Sequence, residues 1–126
     1  MRTVLDASAL LAYVKGEPDT DIVRATLHEA AISTVNWSEV VQKALALEAD
    51  VDGMLEEFEE LGLKIEPFTA DDAERTARLW VKTKEYGLSL GDRACLSLGS
   101  RLDATVLTSD RTWKLIELAV NVQLIR

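Results

Sequence analysis

The sequence predicts an α/β fold, a three-layer α/β/α sandwich around a mainly parallel central sheet of about five strands. Three observations carry this. Short apolar runs alternate with helical patterns of about ten residues or more, an alternation that implies βαβ crossovers and helices on both faces of a sheet. Apolar residues make up 48% of the chain, enough for a sizeable core. The length of 126 residues fits one domain spanning 1–126 at roughly 150 residues per domain, and no repeat, low-complexity tract or linker divides it.

Taken in order, Thr3 to Leu5 is a brief apolar run stopped by Asp6, followed by a helix from Ala7 to Val14 and a turn through Gly16 to Pro18. A second helix is expected near Thr20 to Glu29 and a strand over Ala31 to Thr34. Asn36 opens a long helix whose Val40, Ala44 and Leu47 share one face. Val51 to Leu61 continues helically, with Leu55 and Phe58 inward, Glu56, Glu57, Glu59 and Glu60 outward, and Gly62 as the stop. Lys64 to Pro67 reads as a strand. Thr69 with Asp72 forms a capping box for a helix expected to bury Ala73, Ala77, Trp80 and Val81 and to end near Gly87. Ser89 starts another helix, with Leu90, Ala94, Cys95, Leu98 and Leu102 on its apolar side. A strand at Thr105 to Thr108, a short helix after Asp110 and a strand over Val120 to Ile125 complete the chain.

Composition excludes several classes of function. Fourteen basic against 22 acidic residues give a net charge of −8, which argues against a protein that grips nucleic acid over a broad basic surface. The acidity is lopsided: residues 1 to 63 carry four basic and thirteen acidic residues, residues 64 to 126 ten and nine. A single cysteine, Cys95, and a single histidine, His28, exclude intramolecular disulfides and Cys- or His-rich metal sites. No stretch approaches the ~18 apolar residues of a membrane span. A cytoplasmic location with no membrane partner is the expectation.

In open α/β sheets, ligands collect beyond the carboxyl ends of the strands. Four acids are expected there: Asp6 after the first strand, Glu39 and Asp92 in the first turns of helices, and Asp110 after the Thr105 to Thr108 strand. Each has a structural explanation of its own. Asp6 and Asp110 suit N-caps, and Asn36 with Glu39 and Ser89 with Asp92 have capping-box spacing. Of the three acids at the longer helices, Asp6, Glu39 and Asp92, only Glu39 has a base at i+4, Lys43, so the four together are expected to repel one another without a cation. Oxygen ligands with no His or Cys suit Mg²⁺ or Mn²⁺, and an ion so held activates water for in-line attack on phosphorus. That chemistry is phosphodiester hydrolysis.

These residues stand in segments that resemble a known family. "VLDASALLAYV", "ISTVNWSEVVQK", "GLSLGDRACLSLG", "ATVLTSDRTW" and the terminal "VNVQLIR" follow, in order and spacing, the PIN-domain ribonucleases, and within them the VapC-like toxins of prokaryotic toxin–antitoxin pairs. The resemblance covers nearly the whole chain and implies a PIN-like sandwich and a Mg²⁺- or Mn²⁺-dependent endoribonuclease held off by a cognate antitoxin. It places the acidic site on Asp6, Glu39, Asp92 and Asp110, with Asp6 and Asp92 or Asp110 as direct metal ligands and Glu39 binding metal or orienting the attacking water. Supporting hydroxyls fall on Ser8 and on Thr108 or Ser109. A homodimer is implied as well.

Arg93, Arg111 and Lys114 lie beside the site acids and are candidates for binding substrate phosphate. His28 reads as a surface residue, Cys95 and Trp80 as core, and Trp37 and Trp113 as packing residues with a lesser claim to stacking on an RNA base. Two other classes compete. A receiver-like Mg²⁺-binding signalling domain would need adjacent acids after the first strand and a lysine after a late one, whereas Leu5 precedes Asp6 and the late strand runs into Thr108, Ser109 and Asp110. A catalytically idle protein-interaction module would use the apolar faces of the helices over 36–49 and 51–61 as a groove. Setting the four site acids aside leaves −7 in the first half and +3 in the second. RNA engagement is therefore expected at one metal-dependent acidic pocket with a modestly basic flank.

Overall fold

A computed structural model describes residues 2–126. Five short strands, β1 (Thr3–Leu5), β2 (Ala30–Ser33), β3 (Lys64–Glu66), β4 (Thr105–Thr108) and β5 (Val122–Leu124), form one sheet in the order β3-β2-β1-β4-β5. All four pairings are parallel, and Leu5 stands opposite Leu107. Strands β1, β2 and β4 are buried along their whole length, as expected of central parallel strands covered on both faces, whose residues run apolar without alternation. The chain winds outward from β1 to β3 and then returns to place β4 on the other side of β1. Strand order thus reverses between β1 and β4, which opens a crevice at their carboxyl ends.

The six helices are α1 (Ala7–Val14), α2 (Asp21–Thr26), α3 (Thr34–Ala46), α4 (Met54–Glu60), α5 (Ala70–Thr83) and α6 (Leu90–Leu102). One core joins Leu5, Ile32 and Leu107 of the sheet to Leu10 of α1, Val23 of α2, Val40 of α3 and Phe58 of α4. The other joins Val4, Ala31, Val106 and Val122 to Cys95, Leu96 and Leu98 of α6 and to Trp113 and Ile116. The three-layer parallel architecture is therefore as the alternation of elements predicts.

Several local expectations change. Helix α3 starts at Thr34 under a Ser33 cap, two residues before Asn36, so Asn36 and Glu39 are not a capping box. The helix expected over 36–49 ends at Ala46, and positive φ at Glu48 and Gly53 separates it from α4. Leu47, Leu55 and Leu90, read as inward, are exposed, and Met54 takes the inner place on α4. The segment after Asp110 is a 3-10 turn over Arg111–Leu115.

The largest correction is α5. Its residues Ala73, Ala77, Trp80 and Val81 face solvent, Trp80 at 51% exposure, while Asp72, Thr76 and Thr83 are buried. The physical cause is polar anchoring to α6, which α5 lies against. Arg101 Nε donates to Asp72 Oδ1 at 3.0 Å, Ser97 Oγ to the Asp72 carbonyl at 3.3 Å, and Arg93 Nη1 to the Thr76 carbonyl at 2.9 Å. These bonds hold the polar face inward, and the apolar stripe, offset by one residue or about 100°, turns outward.

Candidate functional site

Asp6 sits at the crevice between β1 and β4. Its backbone N–H donates to the Leu107 carbonyl at 3.1 Å, which stitches the end of β1 to β4 and turns the side chain into the start of α1. There it is an N-cap, accepting from Ala9 N at 2.7 Å. Ser8 Oγ reaches both carboxylate oxygens, Oδ1 at 2.7 Å and Oδ2 at 2.9 Å, and Thr108 Oγ1 donates to Oδ2. Both hydroxyls are themselves fixed: Ser109 N donates to Ser8 Oγ at 3.1 Å and Asp110 N to Thr108 Oγ1 at 3.0 Å. Asp6 is only 4% exposed, and no Lys or Arg forms an ion pair with it among the described residues. Burial pushes its carboxyl up to about 6, against the three hydrogen bonds that favour the charged form and with the negative charge of Asp92 adding to the rise.

Asp92 occupies the first turn of α6. Ser89 and Asp92 form a complete capping box, with Ser89 N donating to Asp92 Oδ2 at 2.9 Å and Asp92 N to Ser89 Oγ at 3.1 Å. Glu39 approaches from α3. Its Oε1 accepts from Asn36 Nδ2 at 2.9 Å, and it makes no ion pair with Lys43. Beneath these acids lies buried Cys95, whose thiol is pushed well up by burial and then by the charges of Asp6, Asp92 and Glu39. The Glu39 carboxylate lies against Gly91, the residue next to Asp92 in the first turn of α6, and the charge of Asp92 acts in turn on Asp6. Among the described residues no three of the four carboxylates stand close enough together to grip one ion in this arrangement.

Asp110 behaves differently. It is exposed and caps the 3-10 turn, accepting from Thr112 N at 2.9 Å, and its charge is not among those acting on Asp6 or Cys95. The structural readings of Asp6, Asp92 and Asp110 as caps are therefore all correct, and capping is the means by which the fold aims them. Ser8 and Thr108 touch Asp6 through their hydroxyls, whereas Ser109 contributes its backbone N–H. Residues that sequence reasoning missed are Asn36, taken there for a cap, and Gly91, beside which the Glu39 carboxylate lies.

The basic candidates separate as well. Arg93 is drawn to α5 by its bond to Thr76, and Lys114 Nζ donates to the Val122 carbonyl at 2.9 Å, so both are engaged in the fold. Arg111 is exposed and makes no ion pair among the described residues. Trp113 is 1% exposed and Trp37 packs edge-on against Phe58 at 5.9 Å, both packing residues as expected; His28 is exposed and Cys95 buried, also as expected. No helix among the described residues is long and apolar enough to cross a membrane.

A family profile described as PIN domain matches residues 3–118. No curated protein matches the chain by sequence. Solved structures do match. A toxin–antitoxin complex from Klebsiella pneumoniae aligns at 22% identity over 86% of each chain with a TM-score of 0.68. Mycobacterium tuberculosis VapC20, described as a sarcin-ricin loop cleaving toxin, aligns at 14% identity over 90% of this chain and 93% of its own, TM-score 0.74. FitAcB from Neisseria gonorrhoeae aligns at 19% identity over 95% of each chain, TM-score 0.72.

Proposed function

The chain belongs to the PIN domain family, and from that membership we propose that it is an endoribonuclease that hydrolyses RNA phosphodiester bonds with Mg²⁺ or Mn²⁺ and acts as the toxin of a toxin–antitoxin pair. The observation that carries the reading is Asp6: a carboxylate 4% exposed, under the charge of Asp92 and without a basic partner among the described residues. A buried charge so placed is costly unless a cation joins it. The donor set is oxygen only, which fits a hard divalent ion.

Asp6 and Asp92 would hold that ion, with water completing its coordination. When bound, it supplies the positive charge that polarises the scissile phosphate and lowers the pKa of a water. Ser8 and Thr108 fix the orientation of Asp6 through hydrogen bonds to its oxygens. Glu39 has Oε1 committed to Asn36, which leaves Oε2 to join the ion or to orient the attacking water. Arg111 is the basic side chain left to meet substrate phosphate. The neighbour described as a toxin–antitoxin complex supports a cognate antitoxin as partner, with a homodimer and a cytoplasmic setting completing the reading.

The test is cleavage of RNA by the purified chain freed of its antitoxin. Asp6→Asn is expected to lower the rate by about 10³-fold or more, an effect of about 4 kcal/mol, with an unchanged circular dichroism spectrum, and excess EDTA is expected to stop the wild type. Full activity in EDTA would sink the metal-dependent reading.

A further inference from the structure

We propose that Asn36 and Gly91 form a seat that fixes the Glu39 carboxylate against the first turn of α6, beside Asp92, which makes both of them positioning residues for the acidic corner. The proposal rests on the reading of that corner as a cation site. Two independent observations converge on it.

The first is the Asn36 amide. Asn36 is 1% exposed, and its Nδ2 donates to Glu39 Oε1 and to the Gly91 carbonyl, each at 2.9 Å. One partner lies a helical turn away on α3 and the other lies on α6, so the amide ties the two helices together at the carboxylate. Its orientation is forced. Turned over, Asn36 Oδ1 would face a carboxylate and a carbonyl with no proton between them. In the orientation adopted, Oδ1 is buried without a hydrogen-bond partner among the described residues. A buried orphan acceptor is costly, and here it accompanies one donor aimed at Glu39 and one at the Gly91 carbonyl.

The second is the glycine. Gly91 lies in the first turn of α6 without positive φ, so backbone conformation does not call for glycine, and an alanine would favour the helix. A Cβ there would stand 2.7 Å from Glu39 Cδ and 2.8 Å from Oε2. That atom would displace only the end of a flexible side chain, which the fold tolerates easily. Packing therefore does not demand glycine at this position; the location of the Glu39 carboxylate does.

The experiment is calorimetric titration of the metal-stripped chain with Mn²⁺ alone, using wild type, Glu39→Gln, Gly91→Ala, Asn36→Ala and the two double variants containing Glu39→Gln, with fold checked by circular dichroism. Gly91→Ala and Asn36→Ala are each expected to weaken Mn²⁺ binding about 10-fold, as lost supporting shells do, and to cost nothing further once Glu39 is Gln. Wild-type affinity in both single variants, or equal losses in the Glu39→Gln background, would overturn the seat. Should Asn36→Ala fail to fold, Gly91→Ala decides alone. Should wild type and Glu39→Gln bind Mn²⁺ equally, the cation role of Glu39 fails instead. The seat is then judged in the metal-free protein by the Asn36 side-chain amide resonance, displaced in Gly91→Ala if the seat exists and unmoved if it does not.

Discussion

Two carboxylates in this molecule are almost equally screened from solvent, Asp72 at 2% exposure and Asp6 at 4%, although Asp6 lies much deeper; Asp6 is the N-cap of α1 and Asp72 is the acid of the α5 capping box. Their surroundings are opposite. Asp72 faces two guanidinium groups, Arg101 Nε at 3.0 Å and Arg75 Nη1 at 3.2 Å. Burial pushes its carboxyl up, but the Thr69 backbone and hydroxyl hydrogen bonds and Arg101 outweigh it and hold the carboxyl below its usual range. Asp6 has hydrogen bonds but no cation, and burial prevails, lifting it to about 6. A carboxylate whose charge the fold neutralises serves the fold. One whose charge the fold leaves uncompensated is, on the proposed function, where a cation from outside would bind.

The contrast predicts opposite outcomes for one substitution. Asp72→Asn keeps an oxygen for the Thr69 cap but leaves Arg101 only its longer contacts to Glu66 at 3.9 Å and the Pro67 carbonyl at 3.4 Å, and breaking a partly buried pair in this way costs about 3 kcal/mol. A lowered midpoint in urea unfolding at pH 7.5 is the expected result, and an unchanged midpoint would mean that the α5–α6 anchor does not depend on charge.

Asp6→Asn is expected to stabilise the metal-free protein. The folded carboxyl titrates near 6, above the ordinary value of 3.8, so the folded state binds the proton more tightly than the unfolded chain. Stability therefore falls as pH rises from about 4 to 6, and the full penalty, about 3 kcal/mol, is present above 6. Asn carries no charge, and Ser8 and Thr108 can rotate their hydroxyls to meet its amide. Urea unfolding in EDTA should show wild type losing ground to Asp6→Asn between pH 4 and 6, with the gap narrowing on addition of Mg²⁺. Parallel pH profiles would contradict the uncompensated charge.

The same pair shows what a sequence discloses. The strand and helix alternation settled the architecture, and the reversal of strand order between β1 and β4 puts Asp6 at the crevice because it directly follows β1, with Asp110 one residue further out after β4. Asp6 and Asp72 nevertheless look alike in sequence: each is an acid at a helix start with a hydroxyl residue nearby. What separates them is Arg101, which stands 29 residues beyond Asp72 and meets it only because α5 lies against α6. The outward turn of Trp80 and Val81 follows from that same contact, so periodicity pointed to the wrong face of α5. Arg93, beside Asp92 in sequence, is taken by the Thr76 carbonyl for a related reason. Asn36 was visible as three residues before Glu39, but its second partner, the Gly91 carbonyl, lies on another helix. Local pattern shows which groups are present; their partners across the core decide what each does.

The finest division between the two corners concerns their hydroxyls. Ser8 donates to both oxygens of an Asp6 that has no cation, so its bond is one of the few terms that favour the charged form. Ser8→Ala is expected to cost about 1 kcal/mol at pH 7.5 in EDTA, and less near pH 4.5, where the folded Asp6 is protonated and no longer needs its charge satisfied. Removing the bond raises the folded pKa further, so the loss grows as pH rises through 6. Thr69→Ala removes the corresponding hydroxyl from Asp72 and is expected to cost a similar ~1 kcal/mol as a lost cap. Its cost should be flat from pH 5 to 8, because Asp72 stays ionised throughout that range in both states. Urea midpoints for the two variants at pH 4.5, 6 and 7.5 test the difference: a pH-dependent loss at Ser8 beside a constant loss at Thr69 follows from a cation present in one corner and absent from the other, and equal profiles would remove that distinction.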